Sequence, residues 1–92
     1  MEAQTVLTRL TQAIMVANTG PTVEVGDDYV HAGRVTIDFG PDRVTIRDRM
    51  KLFANPGSIA LLVARFDEPD FEEKVARFLQ KKGVDLPAKW LG

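Results

Sequence analysis

Arg34-Val35-Thr36-Ile37-Asp38-Phe39-Gly40-Pro41-Asp42-Arg43-Val44-Thr45-Ile46-Arg47-Asp48-Arg49-Met50-Lys51 is the stretch from which the rest of the chain can be read. Val35, Ile37 and Phe39 alternate with Thr36 and Asp38, and Val44 and Ile46 alternate with Thr45 and Arg47. A period of two with β-branched residues predicts two strands, each with one apolar face. Gly40-Pro41-Asp42-Arg43 suits a type I turn, because Pro presets φ and Asp bonds the local backbone. That turn sets Phe39 opposite Val44 and Ile37 opposite Ile46. A slip of one residue would turn one apolar set to solvent, so the register is well specified.

The second face of this hairpin carries Arg34, Thr36, Asp38, Arg43, Thr45, Arg47 and Arg49, extended by Lys51. Five cations against Asp38 leave an excess of four positive charges, in a chain whose formal net charge is −1. Arg34, Arg43, Arg47, Arg49 and Lys51 are therefore the candidates for binding an anion, a nucleic acid or an acidic partner. The competing reading is a solvated sheet face on which Arg and Lys keep an edge strand soluble. No aromatic residue is interleaved with the arginines, which counts against base stacking on single strands.

Outward from the hairpin, residues 3–18 place Val6, Leu10, Ala13, Ile14 and Ala17 at spacings of three and four, one helical face. Asn18-Thr19-Gly20-Pro21 ends that helix, with Asn or Gly available for a left-handed cap. Leu7 and Met15 fall outside the stripe and either widen it or touch a partner. Thr22–Val25 and Tyr29–His31 read as short strands around a Gly26-Asp27-Asp28 turn, and Gly33 marks a bulge or bend. Asn55-Pro56-Gly57 is a break. Ser58 to Phe66 reads as a short helix capped by Ser58, although an apolar run as short as Ile59–Ala64 also suits a buried strand. Pro69 to Lys82 predicts a helix, with Asp70, Glu72 and Glu73 at its positive end, Lys81 and Lys82 at its negative end, and Gly83 as the cap. Phe71, Val75, Phe78 and Leu79 form its buried stripe. In the tail, Trp90 either folds back on the domain or docks a partner.

These elements predict an α+β fold, a two-layer sandwich occupying residues 1–92 as a single compact domain. An antiparallel meander of three to four strands, from about Thr22 to Phe53, packs against two to three helices in the order α-β-β-β-α-α. The expected core is Val6, Leu10, Ile14, Val25, Val35, Ile37, Phe39, Val44, Ile46, Leu62, Phe66, Phe71, Val75, Phe78 and Leu79. Apolar content of 45% and charged content of 27% are those of a globular chain rather than a disordered one.

The absence of cysteine excludes a disulfide framework, a thiolate nucleophile and a Cys-based metal site, and suits a reducing compartment. Met-Glu-Ala-Gln-Thr lacks the basic start and apolar run of a signal peptide. The longest apolar run, Ile59–Ala64, is far short of a membrane span. We expect a soluble, cytoplasmic protein with no membrane partner.

Chemistry-bearing patterns are sparse. His31 is the only histidine. As a general base it would need Asp27 or Asp28 to orient it, and as a zinc ligand it lacks partners. Asp67-Glu68-Pro69-Asp70 lacks EF-hand spacing, and the single-glycine turns match neither a phosphate loop nor a dinucleotide fingerprint. No catalytic residue, metal or cofactor is assigned. The leading expectation is a non-enzymatic interaction or assembly module, a homodimer or a binder of another protein. Its interface candidates are Leu7, Met15, Phe53, Leu61, Trp90 and Leu91, apolar residues that a small domain does not bury easily alone. Nucleic-acid or polyanion binding through the 34–51 hairpin is the alternative, and a small enzyme or metal protein centred on His31 the weaker one.

Overall fold

A computed structural model describes residues 2–18, 22–48 and 60–92. Among them lie α1 (Ala3–Ala17), β1 (Val23–Val25), β2 (Tyr29–Ala32), β3 (Val35–Phe39), β4 (Arg43–Asp48), β5 (Leu62–Arg65) and α2 (Phe71–Lys81). The strands form one antiparallel sheet in the order β1-β2-β3-β4-β5, so each pairs with its sequence neighbour. The fold is α+β, with one strand more than the sequence predicts.

The central hairpin has the expected register, Ile37 opposite Ile46 and Phe39 opposite Val44. The Gly40 amide closes its turn on the Arg43 carbonyl at 2.8 Å. The preceding turn is tighter than expected. Ala32 pairs with Val35, leaving only Gly33 and Arg34 between β2 and β3. Gly33 has φ +57° there, the left-handed conformation that glycine supplies at the first position of a two-residue hairpin turn. Arg34 accordingly sits in a turn rather than on the strand.

The stretch 58–66 does not read through as a helix. Ser58 and Ile59 lie outside the described residues, and Leu62–Arg65 is a strand that pairs Ala64 with Val44 and Leu62 with Ile46. Burial alternates, with Ala64 and Phe66 inside and Val63 and Arg65 outside. The alanines weigh only tenths of a kcal/mol toward helix, and the pairing with β4 outweighs them.

Both helices cover one face of the sheet. Val30, Ala32, Val35, Ile37, Val44, Ile46 and Ala64 are fully buried in one cluster with Val6, Leu10, Ile14, Phe71, Val75 and Leu79. α1 lies against β1 and β2, and α2 against β5. Leu7 and Thr11 widen the buried stripe of α1. Val25 departs from the expected core, being 49% exposed at the sheet margin, and Leu62 and Phe78 are only partly buried.

Residues 84–91 fill the space between the helices. Val84, Leu86 and Trp90 are buried. α2 ends in a two-bond cap: the Gly83 amide bonds the Gln80 carbonyl and the Val84 amide the Leu79 carbonyl, with Gly83 at φ +81°. The apolar pair Val84 and Leu79 accompanies it. α1 ends differently from expectation. Asn18 is extended (φ −122°), not left-handed, and its side-chain amide bonds the Ile14 carbonyl instead.

Candidate functional site

Directly opposed residues of an antiparallel sheet share a face, so the register fixes the side chains on the face away from the helices. One row across it is Glu24, His31, Thr36 and Arg47, and the next is Tyr29, Asp38, Thr45 and Val63. Thr36 is buried, with its hydroxyl 2.8 Å from Nδ1 of His31. The His31 ring is tilted against Tyr29 with centroids 4.8 Å apart. His31 is thus occupied in a sheet-surface cluster, and Asp27 and Asp28 belong to the turn before β2. Among the described residues no group of three or more His, Asp or Glu is placed to hold a metal ion.

The arginines do not converge. Arg34 occupies the β2–β3 turn and Arg43 the start of β4, at opposite ends of the sheet. Arg47 bonds Asp38 at 2.9 Å, and Arg43 bonds both carboxylate oxygens of Asp42 at 2.9 and 3.1 Å. The hydrogen bonds from Arg43 hold the Asp42 carboxyl below its ordinary value, and the same contact raises Arg43. Arg65 pairs with Asp67 at 3.0 Å. Each of these three arginines on or beside the outer face therefore has its own acid. Arg49 and Lys51 lie outside the described residues.

The interface candidates divide. Leu7 (6% exposed) and Trp90 (5%) are core residues. Trp90 Nε1 donates to the Glu72 carbonyl at 2.7 Å, and its ring packs edge-on against Phe71, with Phe66 beyond. Leu91 packs against the core and bonds the Glu72 carboxylate through its amide. Met15 (60% exposed) and Leu61 (37%) remain at the surface. Phe53 lies outside the described residues. Tyr29, Val63 and Val16 are further exposed apolar side chains that the sequence reading passed over. Val63 carries no such signal in the sequence, since Leu62, Val63 and Ala64 are all apolar and only the pairing with β4 turns Val63 outward.

Beside the β5 margin, α2 overhangs a groove of about 240 Å³. Its apolar surface comes from Leu62 and Phe78, and Asp70, Glu73, Lys74, Arg77 and Lys81 rim it. Lys74 is held by Glu68 at 3.1 Å and Arg77 by Glu73. A narrow apolar floor with paired charges lacks the convergent unpaired polar groups of a small-molecule site, but it is compatible with a protein surface. Among the described residues no helix is long and apolar enough to cross a membrane.

No protein-family model matches this chain, and no curated protein or solved structure is detectably similar to it.

Proposed function

We propose that this chain is a non-enzymatic assembly module that associates with a second copy of itself. The observation that supports this reading is the one-sided covering of the sheet. Both helices and the tail lie on one face, while Leu61 and Val63 stay 37% and 42% exposed at its other margin, with Tyr29 on the open face. Leu61 and Val63 are neighbouring exposed apolar side chains at that margin, the kind of surface that marks a contact site. A symmetric pair is the commonest assembly for a surface offered to identical copies. The cysteine-free composition suits a reducing compartment, and we set the module in the cytoplasm.

The polyanion reading draws less support, because Arg43 and Arg47 are neutralised by Asp42 and Asp38 and Arg34 stands at the far end of the sheet. Molar mass by light scattering on a sizing column tests both, run alone and with short DNA or RNA at low and high salt. A dimer indifferent to nucleic acid is expected. A monomer that shifts only with nucleic acid at low salt would replace this reading with the other.

A further inference from the structure

The hydrogen-bond phase of the sheet shows which backbone groups at its margins have no ladder partner among the described residues. The Phe66 amide donates to the Asp42 carbonyl at 2.9 Å, continuing the register that pairs Ala64 with Val44. Backbone groups alternate in direction along a strand. Ala64 therefore turns its N–H and C=O toward β4, while Val63 and Arg65 turn theirs outward. The opposite margin behaves alike. Gly33 donates to Thr22 and Gly26 to Tyr29, which leaves Val23 and Val25 of β1 facing outward. An antiparallel pair of identical strands is itself two-fold symmetric, so either margin is a template for a second copy.

Side chains distinguish the two. A two-fold axis centred on β1 sets Glu24 directly against Glu24 of the second copy, a like-charge pair that destabilises a ladder. An axis at Ala64 of β5 sets Ala64 against its own counterpart and Val63 against Arg65 of the second copy. Arg65 is the kind of residue that keeps edges apart, yet in this register it meets Val63, along which its aliphatic stem can lie. On the helix side the same register brings Leu62 to Phe66 of the second copy.

A four-residue ladder falls far short of the roughly 800 Å² per partner of a stable interface, so a second layer has to contribute. α2 supplies it. Its flank above the β5 margin begins with Asp70 and ends with Lys81, with Glu73 already holding Arg77 between them, so antiparallel apposition sets Asp70 opposite Lys81 of the second copy. The floor of its groove, Leu62 and Phe78, is the apolar surface such a contact would close.

We propose that two copies of this chain join edge to edge along β5, antiparallel, centred on Ala64, with the two α2 flanks closing over Leu62 and Phe78. The proposal rests on the self-association reading and gives it a surface.

The test is the dissociation constant of the full chain from a dilution series by sedimentation, with circular dichroism to confirm folding. Val63→Pro removes an N–H that β4 does not use, a position where an edge strand tolerates proline. It should leave a folded monomer at concentrations where the wild type is a dimer, while Val25→Pro on the other margin stays dimeric. Two further variants avoid any backbone change. Val63→Glu, facing Arg65 of the second copy, should tighten the dimer about two- to fivefold, and Val63→Lys should loosen it by a similar factor. A dimer indifferent to all changes at Val63, or one dissociated by Val25→Pro instead, would overturn the β5 assignment while leaving self-association intact. A wild-type chain that is monomeric at every concentration would overturn self-association itself.

Discussion

Asn18 and Asp85 grip each other through the side-chain amide of the first and the backbone of the second. Nδ2 of Asn18 donates to the Asp85 carbonyl and the Asp85 amide donates back to Oδ1, each at 2.9 Å. The same Nδ2 also donates to the Ile14 carbonyl at the end of α1, at 2.7 Å, beside the Asn18 backbone amide at 3.0 Å. One side chain thus finishes a helix and fastens the tail to it, across 67 positions of sequence.

Asn18→Ala should cost about 1–2 kcal/mol, since three side-chain hydrogen bonds go and the Asp85 amide and carbonyl must find water instead, while the Ile14 carbonyl keeps the Asn18 backbone amide. Asn18→Asp should do no better. It keeps the acceptor for the Asp85 amide, loses both donors, and sets a negative charge at the negative end of α1. Urea midpoints at unchanged m-value measure both, and an Asp variant as stable as wild type would show that the donor bonds carry nothing.

Trp90→Ala should cost about 3–5 kcal/mol, the usual range for emptying an aromatic site in a core. That is a large share of the 5–15 kcal/mol of a typical domain. Trp90→Phe should cost less, keeping a ring against Phe71 and losing the bond to Glu72. Because the chain has one Trp, its emission reports the tail directly. A blue-shifted band that moves red together with global unfolding is expected.

Thr11→Val should stabilise. The Thr11 hydroxyl is the one buried side-chain polar atom without a hydrogen-bond partner among the described residues. Leaving such a group unbonded costs about 1–3 kcal/mol, and Val has nearly the same shape. Part of that cost should return as a higher melting temperature, of order a few degrees for a domain of this size. A lower melting temperature would mean that the hydroxyl is bonded in solution.

Asp42 should titrate below the ordinary aspartate value because Arg43 hydrogen-bonds its ionised form. Its folded value is depressed, so the contact contributes fully above the ordinary Asp range near pH 4 and is lost as pH falls through the lower folded value. Both groups are exposed, so the contribution is small and screened by salt. Carboxyl-detected NMR titration at two ionic strengths checks this. Arg43→Gln should move the midpoint up toward the ordinary value, with Arg65 still holding it down in part.

The parts of the fold that were legible in the sequence are those where one local signal decides. Val35, Ile37, Phe39, Val44 and Ile46 could be placed in register because alternation and the Gly40–Arg43 turn agree. The second helix was legible from its charge gradient and Gly83. Leu62–Arg65 was not, because its alternation is buried in an apolar run and only pairing with β4 makes it a strand. The basic face was over-read. Counting charge along a hairpin cannot show that Asp42 wraps Arg43, nor that a two-residue turn carries Arg34 off the strand. Trp90 illustrates a third kind of difficulty. Its partners, Glu72 and Phe71, lie 18 and 19 positions away, and whether a terminal Trp finds them depends on the shape of the cleft between two helices.

The strand order follows the order of synthesis, and this bears on how the molecule comes together. Each of the first four strands finds its neighbour across a connection of two or three residues, so that part of the meander can assemble by short loop closures of low entropic cost, and β5 joins after residues 49–61. α1 cannot finish in that way. Although made before the sheet, it has its end fastened by Asp85, a residue made after every strand. A nascent chain halted before residue 84 would hold a paired sheet with both helices on it but lack Val84, Leu86 and Trp90, leaving open the seam that these residues fill. The closing event is the arrival of the tail, and until then the exposed seam is what a chaperone or a neighbouring nascent chain would meet.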